Sequence, residues 1–130
     1  MPHPKPKVLL VDDDELVRNL LCRLLENTGY VVAEADNGAS ALQATRRLDG
    51  SLSLVVTDIN MPVMDGLEFA RALRKTDAKM PILFITALDP ALINEISPPA
   101  QALPKPFLPD DFLEAVTRLV MPVAGPGHVA

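Results

Sequence analysis

The run Leu54-Val55-Val56-Thr57-Asp58-Ile59-Asn60-Met61-Pro62 constrains the fold more than any other stretch of the chain. Three branched apolar residues, Leu54, Val55 and Val56, lead without alternation through Thr57 to a carboxylate, and Pro62 soon ends the run. An unbroken apolar segment suits a strand buried on both faces, as in the parallel sheets of α/β proteins. Asp58 then stands at the carboxyl end of that strand, the edge where open α/β sheets bind ligands. A carboxylate leaving a buried strand must be solvated, paired or bound to a metal, because desolvating it alone is too costly.

The other segments alternate in the same style. Val8 to Val11 reads as a short buried strand, and Glu15 to Asn27 as an amphipathic helix carrying Leu16, Val17, Leu20, Leu21, Leu24 and Leu25. Gly29 is placed to cap that helix. Tyr30 to Ala35 is the second strand, and Asn37 to Leu48 a weaker helix with Ala41, Leu42, Ala44 and Leu48 inward. Leu52 to Thr57 is the third strand and Gly66 to Lys75 the third helix. Ile82 to Ile85 follows Pro81 as the fourth strand, ending at Thr86-Ala87. Ala102-Leu103 makes a short fifth strand, and Pro109 opens a last helix through Val120, with Asp110 and Asp111 at its positive end. Only 18 residues separate Thr86 from Lys105. Within them, Asp89-Pro90 and Ser97-Pro98-Pro99 confine a fourth helix to little beyond Ala91 to Ile96.

Five such units with short connections predict a flavodoxin-like (βα)5 fold: a doubly wound parallel sheet, strand order 2-1-3-4-5, with a shortened fourth helix. In 130 residues this is one domain, occupying residues 7–121. The proline-rich start, residues 1–6, reads as a flexible leader, and the Pro/Gly-rich residues 122–130 as a flexible tail. His3 and His128 fall in these ends, so neither is expected to serve as a ligand or catalyst.

Composition narrows the function classes. A net charge of −5, with no Lys/Arg run, argues against nucleic acid as a direct partner. No segment has the pattern of a signal peptide or a membrane span, so no membrane partner is expected. The lone Cys22 excludes a disulfide within the chain and fits a cytoplasmic location; we expect it to be a small core residue.

The predicted strand order makes the first and third strands neighbours, so Asp12, Asp13 and Asp58 converge on one crevice. Thr86 leaves the adjacent fourth strand and Lys105 the fifth. Three carboxylates a few ångströms apart repel one another unless a cation sits among them. Hard oxygen donors select Mg²⁺ or a similar ion over zinc. A metal alone does not need Lys105 and Thr86, whereas a phosphoryl group brings oxygens that an ammonium, a hydroxyl and a metal neutralise together. Asp58, central among them, is the nucleophile candidate. Asp14 is expected to cap the first helix, and Asp65-Gly66 to form a turn and helix start. Met61, Met64 and Met80 are expected to pack.

From Lys7 to Val120 the chain resembles a receiver domain of the two-component response regulators. The resemblance rests on Val11-Asp12-Asp13, Asp58-Ile59-Asn60-Met61-Pro62-Val63-Met64-Asp65-Gly66, Thr86-Ala87 and Lys105-Pro106-Phe107, in order at four strand ends. It implies a phosphorylation-dependent signalling switch. A phosphohistidine of a sensor histidine kinase or histidine phosphotransfer protein donates its phosphoryl group to Asp58, with Mg²⁺, or Mn²⁺ in its place. Asp12, Asp13, Asp58 and the backbone carbonyl of Asn60 hold the metal. Thr86 contacts and senses the phosphoryl group, and Lys105 pairs with it. The switch acts on an unknown downstream protein by protein–protein interaction. It is not an enzyme towards other substrates, catalysing only its own phosphorylation and dephosphorylation. No output domain is expected within the chain, which is either free-standing or a piece of a longer protein.

Two departures from the family pattern accompany the short fourth helix. Ala102 stands where the family often places a switching aromatic residue, and Pro104 precedes the lysine, which confines the fifth strand to an edge. The segment from Asp89 to Ala100 is therefore expected to be loosely held, and Lys105-Pro106 to be cis as in the family. A receiver-shaped interaction module that works without phosphorylation is the main alternative. An aspartyl-nucleophile phosphatase fits less well, because it wants a second acid where Asn60 stands and a cap domain for which there is no room. A calcium loop starting at Asp58 fails at Pro62 and Val63, and no phosphate-cradling Gly-rich loop exists.

Overall fold

The computed structural model describes residues 5–120, so the tail and most of the leader, with His3 and His128, lie outside the described residues. The elements run β1 (Lys7–Val11), α1 (Glu15–Asn27), β2 (Val31–Ala35), α2 (Gly38–Arg47), β3 (Leu52–Asp58), α3 (Gly66–Arg74) and β4 (Ile82–Thr86). A 3₁₀ turn (Pro90–Glu95), β5 (Ala100–Pro104) and α4 (Pro109–Val120) complete them. The strands form one parallel sheet in the order β2-β1-β3-β4-β5, as predicted. No described helix is long and apolar enough to cross a membrane.

Alternate residues of the central strands feed two cores, one on each face of the sheet. Leu9, Val11, Val55, Ile82 and Phe84 meet Ala41 and Ala44 of α2 and Phe69, Ala70 and Leu73 of α3. Val8, Leu10, Leu54, Val56, Leu83 and Ile85 meet Leu21 and Leu25 of α1 and Phe112, Ala115 and Val116 of α4. Both faces of β3 and β4 are therefore covered, which is why these strands read as unbroken apolar runs. Phe69, Phe84 and Phe112 are fully buried. Truncating any of them to alanine costs about 3–5 kcal/mol.

α1 departs from expectation. Its apolar stripe is wider than the face it covers, so Leu21 and Leu25 are buried while Leu16 and Leu20 remain 81% and 58% exposed. Cys22 is only partly buried against the same core. Gly29 follows this helix at φ +104°, in the left-handed region a glycine adopts without penalty. Met61 is buried, and Met64 and Met80 pack against the core as expected.

The region of the fourth helix is as short as predicted, six residues at Pro90–Glu95, but it is not α-helical. The only helical turn is 3₁₀, closed by bonds from the Leu92 N–H to the Asp89 carbonyl and from the Ile96 N–H to the Ile93 carbonyl. Prolines on both sides leave no room for an α-helical nucleus. Yet the segment is well anchored. Ile93 and Ile96 are buried, and Arg71 of α3 pairs with Glu95. Arg74 donates to the carbonyls of Asp77, Ser97 and Pro99 at 3.2, 2.9 and 2.9 Å. β5 is longer than the predicted Ala102-Leu103 but is an edge strand, where Pro104 withholds no needed N–H.

Candidate functional site

The register sets the site. Val11 of β1 pairs with Thr57 of β3, so Asp12 and Asp58 emerge at the same level on adjacent strands. Asp13 follows on the β1–α1 loop, and oxygens of all three carboxylates lie within 4.8 Å of one another. Asp12 is 1% exposed and Asp58 9%, whereas Asp13 faces solvent. Asp12 and Asp58, this close, repel by roughly 3 kcal/mol at an effective dielectric near 20. Burial pushes the Asp12 carboxyl above its ordinary range, and the Asp58 and Asp13 charges add to the effect. The Asp14 N–H, which donates to Asp12 Oδ1 at 2.9 Å, and the Lys105 ammonium oppose it.

Lys105 completes the cluster from the far side. Its Nζ lies 3.3 Å from Asp58 Oδ2, and its backbone N–H donates to the Thr86 carbonyl at 2.8 Å. The Lys105–Pro106 bond is cis, as expected, and Phe107 stacks on Phe112 with ring centroids 5.9 Å apart. Thr86 is 1% exposed at the end of β4, one step beyond the pairing of Asp58 with Ile85. Its hydroxyl oxygen accepts the Leu88 N–H at 2.8 Å. That contact uses a lone pair and leaves the O–H proton free to donate. Asn60 is exposed on the loop that leaves β3.

Three carboxylates against one ammonium leave the cluster with excess negative charge. An all-oxygen donor set within a few ångströms, two of its members buried, fits a small hard divalent cation. The residues present therefore suit Mg²⁺.

The helix starts around the cluster are built as the sequence indicates, with one addition. Asp14 caps α1 by accepting the Leu16 and Val17 N–H groups, and Asp65 forms a capping box with Glu68 at the start of α3. Gly66 does more than begin a helix. A Cβ there would stand 2.2 Å from the Asp58 carbonyl oxygen, so α3 begins in direct contact with the Asp58 backbone only because this residue is glycine. Between them Val63 holds φ +70°, an uncommon conformation for a β-branched residue. Arg18 also reaches this site, although nothing in a helix sequence marks which side chain will reach back. Its Nη1 donates to the Asp12 carbonyl at 2.7 Å and its Nε pairs with Glu34 Oε1 of β2 at 3.0 Å.

Comparison with known proteins agrees with this geometry. The family model of the response regulator receiver domain matches residues 8–117. The chain is 37% identical over 118 residues to the response regulator receiver protein CpdR of Brucella abortus (strain 2308), covering 88% of this chain and 97% of CpdR. Response regulator MprA of Mycobacterium sp. (strain KMS) is 41% identical over 132 residues. That match covers 95% of this chain but 56% of MprA, so the chain spans little more than half of that relative. Among solved structures, the Vibrio cholerae chemotaxis protein CheY4 matches with a TM-score of 0.79 at 31% identity, covering 89% of this chain and 99% of CheY4.

Proposed function

The chain belongs to the response regulator receiver domain family, and on that premise we propose that it is a phosphorylation-dependent signalling switch with Asp58 as the phosphoacceptor. The observation that carries the reading is the convergence of Asp12, Asp13, Asp58 and Lys105 at one edge of the sheet. A carboxylate oxygen of Asp58 attacks the phosphorus of a phosphohistidine on a sensor kinase or phosphotransfer protein. The new P–O bond forms as the P–N bond breaks, and the electron pair returns to the imidazole nitrogen. Little is required of the protein beyond positioning and neutralising charge.

Each residue has a part in that. Asp58 is held at a strand end, so its carboxylate is presented with little freedom to lose. Lys105, already beside Asp58, exchanges a carboxylate oxygen for a phosphoryl oxygen as negative charge arrives. Thr86 has a hydroxyl proton to donate to another phosphoryl oxygen. Asp12, Asp13 and Asp58, with the Asn60 carbonyl, are the groups to hold Mg²⁺ or Mn²⁺. When bound, the ion supplies the positive charge that lets an anionic donor approach an acidic cluster. On this reading the chain catalyses only its own phosphorylation and dephosphorylation, works in the cytoplasm, and signals by binding a downstream protein.

The test is incubation with a small phosphodonor and Mg²⁺, read by intact mass. One added phosphoryl group, lost with chelator and mapped to Asp58, is the expected result. No incorporation at any Mg²⁺ concentration favours the alternative of an interaction module that works without phosphorylation.

A further inference from the structure

We propose that Arg18 is a positioning residue for the metal-binding carboxylates, locking the backbone that carries Asp12 and Asp13 by joining α1, the end of β1 and β2. The inference rests on the reading of the acidic cluster as a metal-dependent phosphoryl-accepting site.

The geometry is that of a brace. Asp12 is the first residue past β1, and its N–H still donates to the Ala35 carbonyl of β2 at 3.1 Å. Arg18, one turn into α1, donates to that carbonyl at 2.7 Å. The guanidinium is then held from its other side by Glu34 at 3.0 Å, and its side chain is only 18% exposed. Glu34 sits on β2 directly across from Leu10 of β1, so both ends of the brace are tied to the sheet. The Asp12 backbone is thus held through its N–H by Ala35 and through its carbonyl by Arg18. The rotation it would otherwise have is the rotation that would move Asp12 and Asp13 relative to Asp58. A forked donor fixed at two points orients its target better than a single ammonium.

Charge and geometry predict opposite signs here. A guanidinium near an acidic metal site repels a divalent cation, so if Arg18 acted through its charge, removing it would tighten binding. If it acts by holding the Asp12 backbone, removing it loosens the carboxylates and weakens binding.

The experiment measures Mn²⁺ binding by loss of the free-ion electron paramagnetic resonance signal, in wild type, Arg18→Ala, Arg18→Lys and Glu34→Gln. Thermal unfolding in chelator and labelling by a small phosphodonor are followed alongside. Arg18→Ala is expected to raise the Mn²⁺ dissociation constant about tenfold, the low end of what loss of an outer-shell partner costs a metal site. Labelling should return once Mn²⁺ is raised to saturate the variant. Arg18→Lys, which keeps the charge but not the fork, and Glu34→Gln, which keeps the fork but loosens its anchor, should each weaken binding less. Should Arg18→Ala prove unfolded, Glu34→Gln carries the test. An unchanged or lowered dissociation constant in folded variants, with only the unfolding temperature altered, overturns the inference and leaves Arg18 a structural brace. A wild-type chain that neither binds Mn²⁺ nor accepts label overturns the reading beneath it as well.

Discussion

The ammonium of Lys105 stands 3.3 Å from Oδ2 of Asp58, joining the carboxyl ends of β5 and β3 across the intervening β4. Asp58 is nearly buried, its side chain 11% exposed, while Lys105 at 32% reaches it from the solvent side, so water screens the pair from one end. Its importance is electrostatic. It is the only ammonium drawn into a cluster of three carboxylates among the described residues, and it meets the one at the centre of the sheet edge. That carboxylate is where chemistry is expected.

Asp58→Asn should abolish phosphoryl incorporation, because an amide is not a nucleophile at this position. The metal-free protein should not suffer. Removing one charge relieves repulsion with Asp12, which outweighs loss of a half-solvated pair with Lys105. We expect the melting temperature in chelator to rise by about 3 °C, roughly 1 kcal/mol for a domain of this size. Labelling at the wild-type rate would sink the acceptor assignment.

Mg²⁺ should stabilise the folded chain by mass action. At free ion a hundredfold above its dissociation constant the gain is about 2.7 kcal/mol. Asp13→Ala, at the solvent-facing member of the cluster, should lose most of that gain while melting normally in chelator. Equal Mg²⁺ shifts in both proteins would remove Asp13 from the ligand set.

Gly66→Ala tests the contact between α3 and the strand that carries Asp58. The added methyl meets the Asp58 carbonyl oxygen at 2.2 Å, and neither partner is a flexible side-chain end. Overpacking of this kind costs about 1–3 kcal/mol. The displaced backbone belongs to Asp58, so labelling should slow as stability falls. A variant as stable as wild type in chemical denaturation would show that the helix start can yield.

Val63→Asn should stabilise the chain. Val63 is 83% exposed and buries little, yet it holds φ +70°, where a β-branched side chain costs about 1–2 kcal/mol and asparagine far less. A gain of about 1 kcal/mol in denaturant unfolding is expected. Loss of stability would mean that the valine side chain makes a contact of greater worth than its strain.

Cys22 should be slow to react. Burial, followed by the nearby Glu34 and Glu26 carboxylates, pushes its thiol up to about 11 from an ordinary 9.0. A raised value means less thiolate at any given pH. At pH 8 alkylation of the folded chain should run about a hundredfold below that of the unfolded chain, rising steadily with pH beyond 10. Rapid modification near neutrality would contradict this.

Much of this protein is written locally. The unbroken apolar runs of β3 and β4, Gly29 after α1, Asp14 and Asp65 before their helices, and carboxylates or a lysine at successive strand ends each depend on residues a few positions apart. A right-handed parallel sheet then follows from short connections, and with it the meeting of Asp12, Asp13, Asp58 and Lys105. Packing between distant segments decided the rest. Leu16 and Leu20 fit a helical stripe as well as Leu21 and Leu25 do, but only the facing sheet determines which pair is covered. The prolines after Thr86 disclose a short helix. They do not disclose that Arg71 and Arg74 of α3 would hold the segment that replaces it. Nor does a helical pattern reveal that Arg18 would turn back to the Asp12 carbonyl, or that Gly66 would press against Asp58. Hydrophobic periodicity and capping are properties of neighbouring residues, whereas these contacts exist only once separate elements have been brought to within a few ångströms of each other.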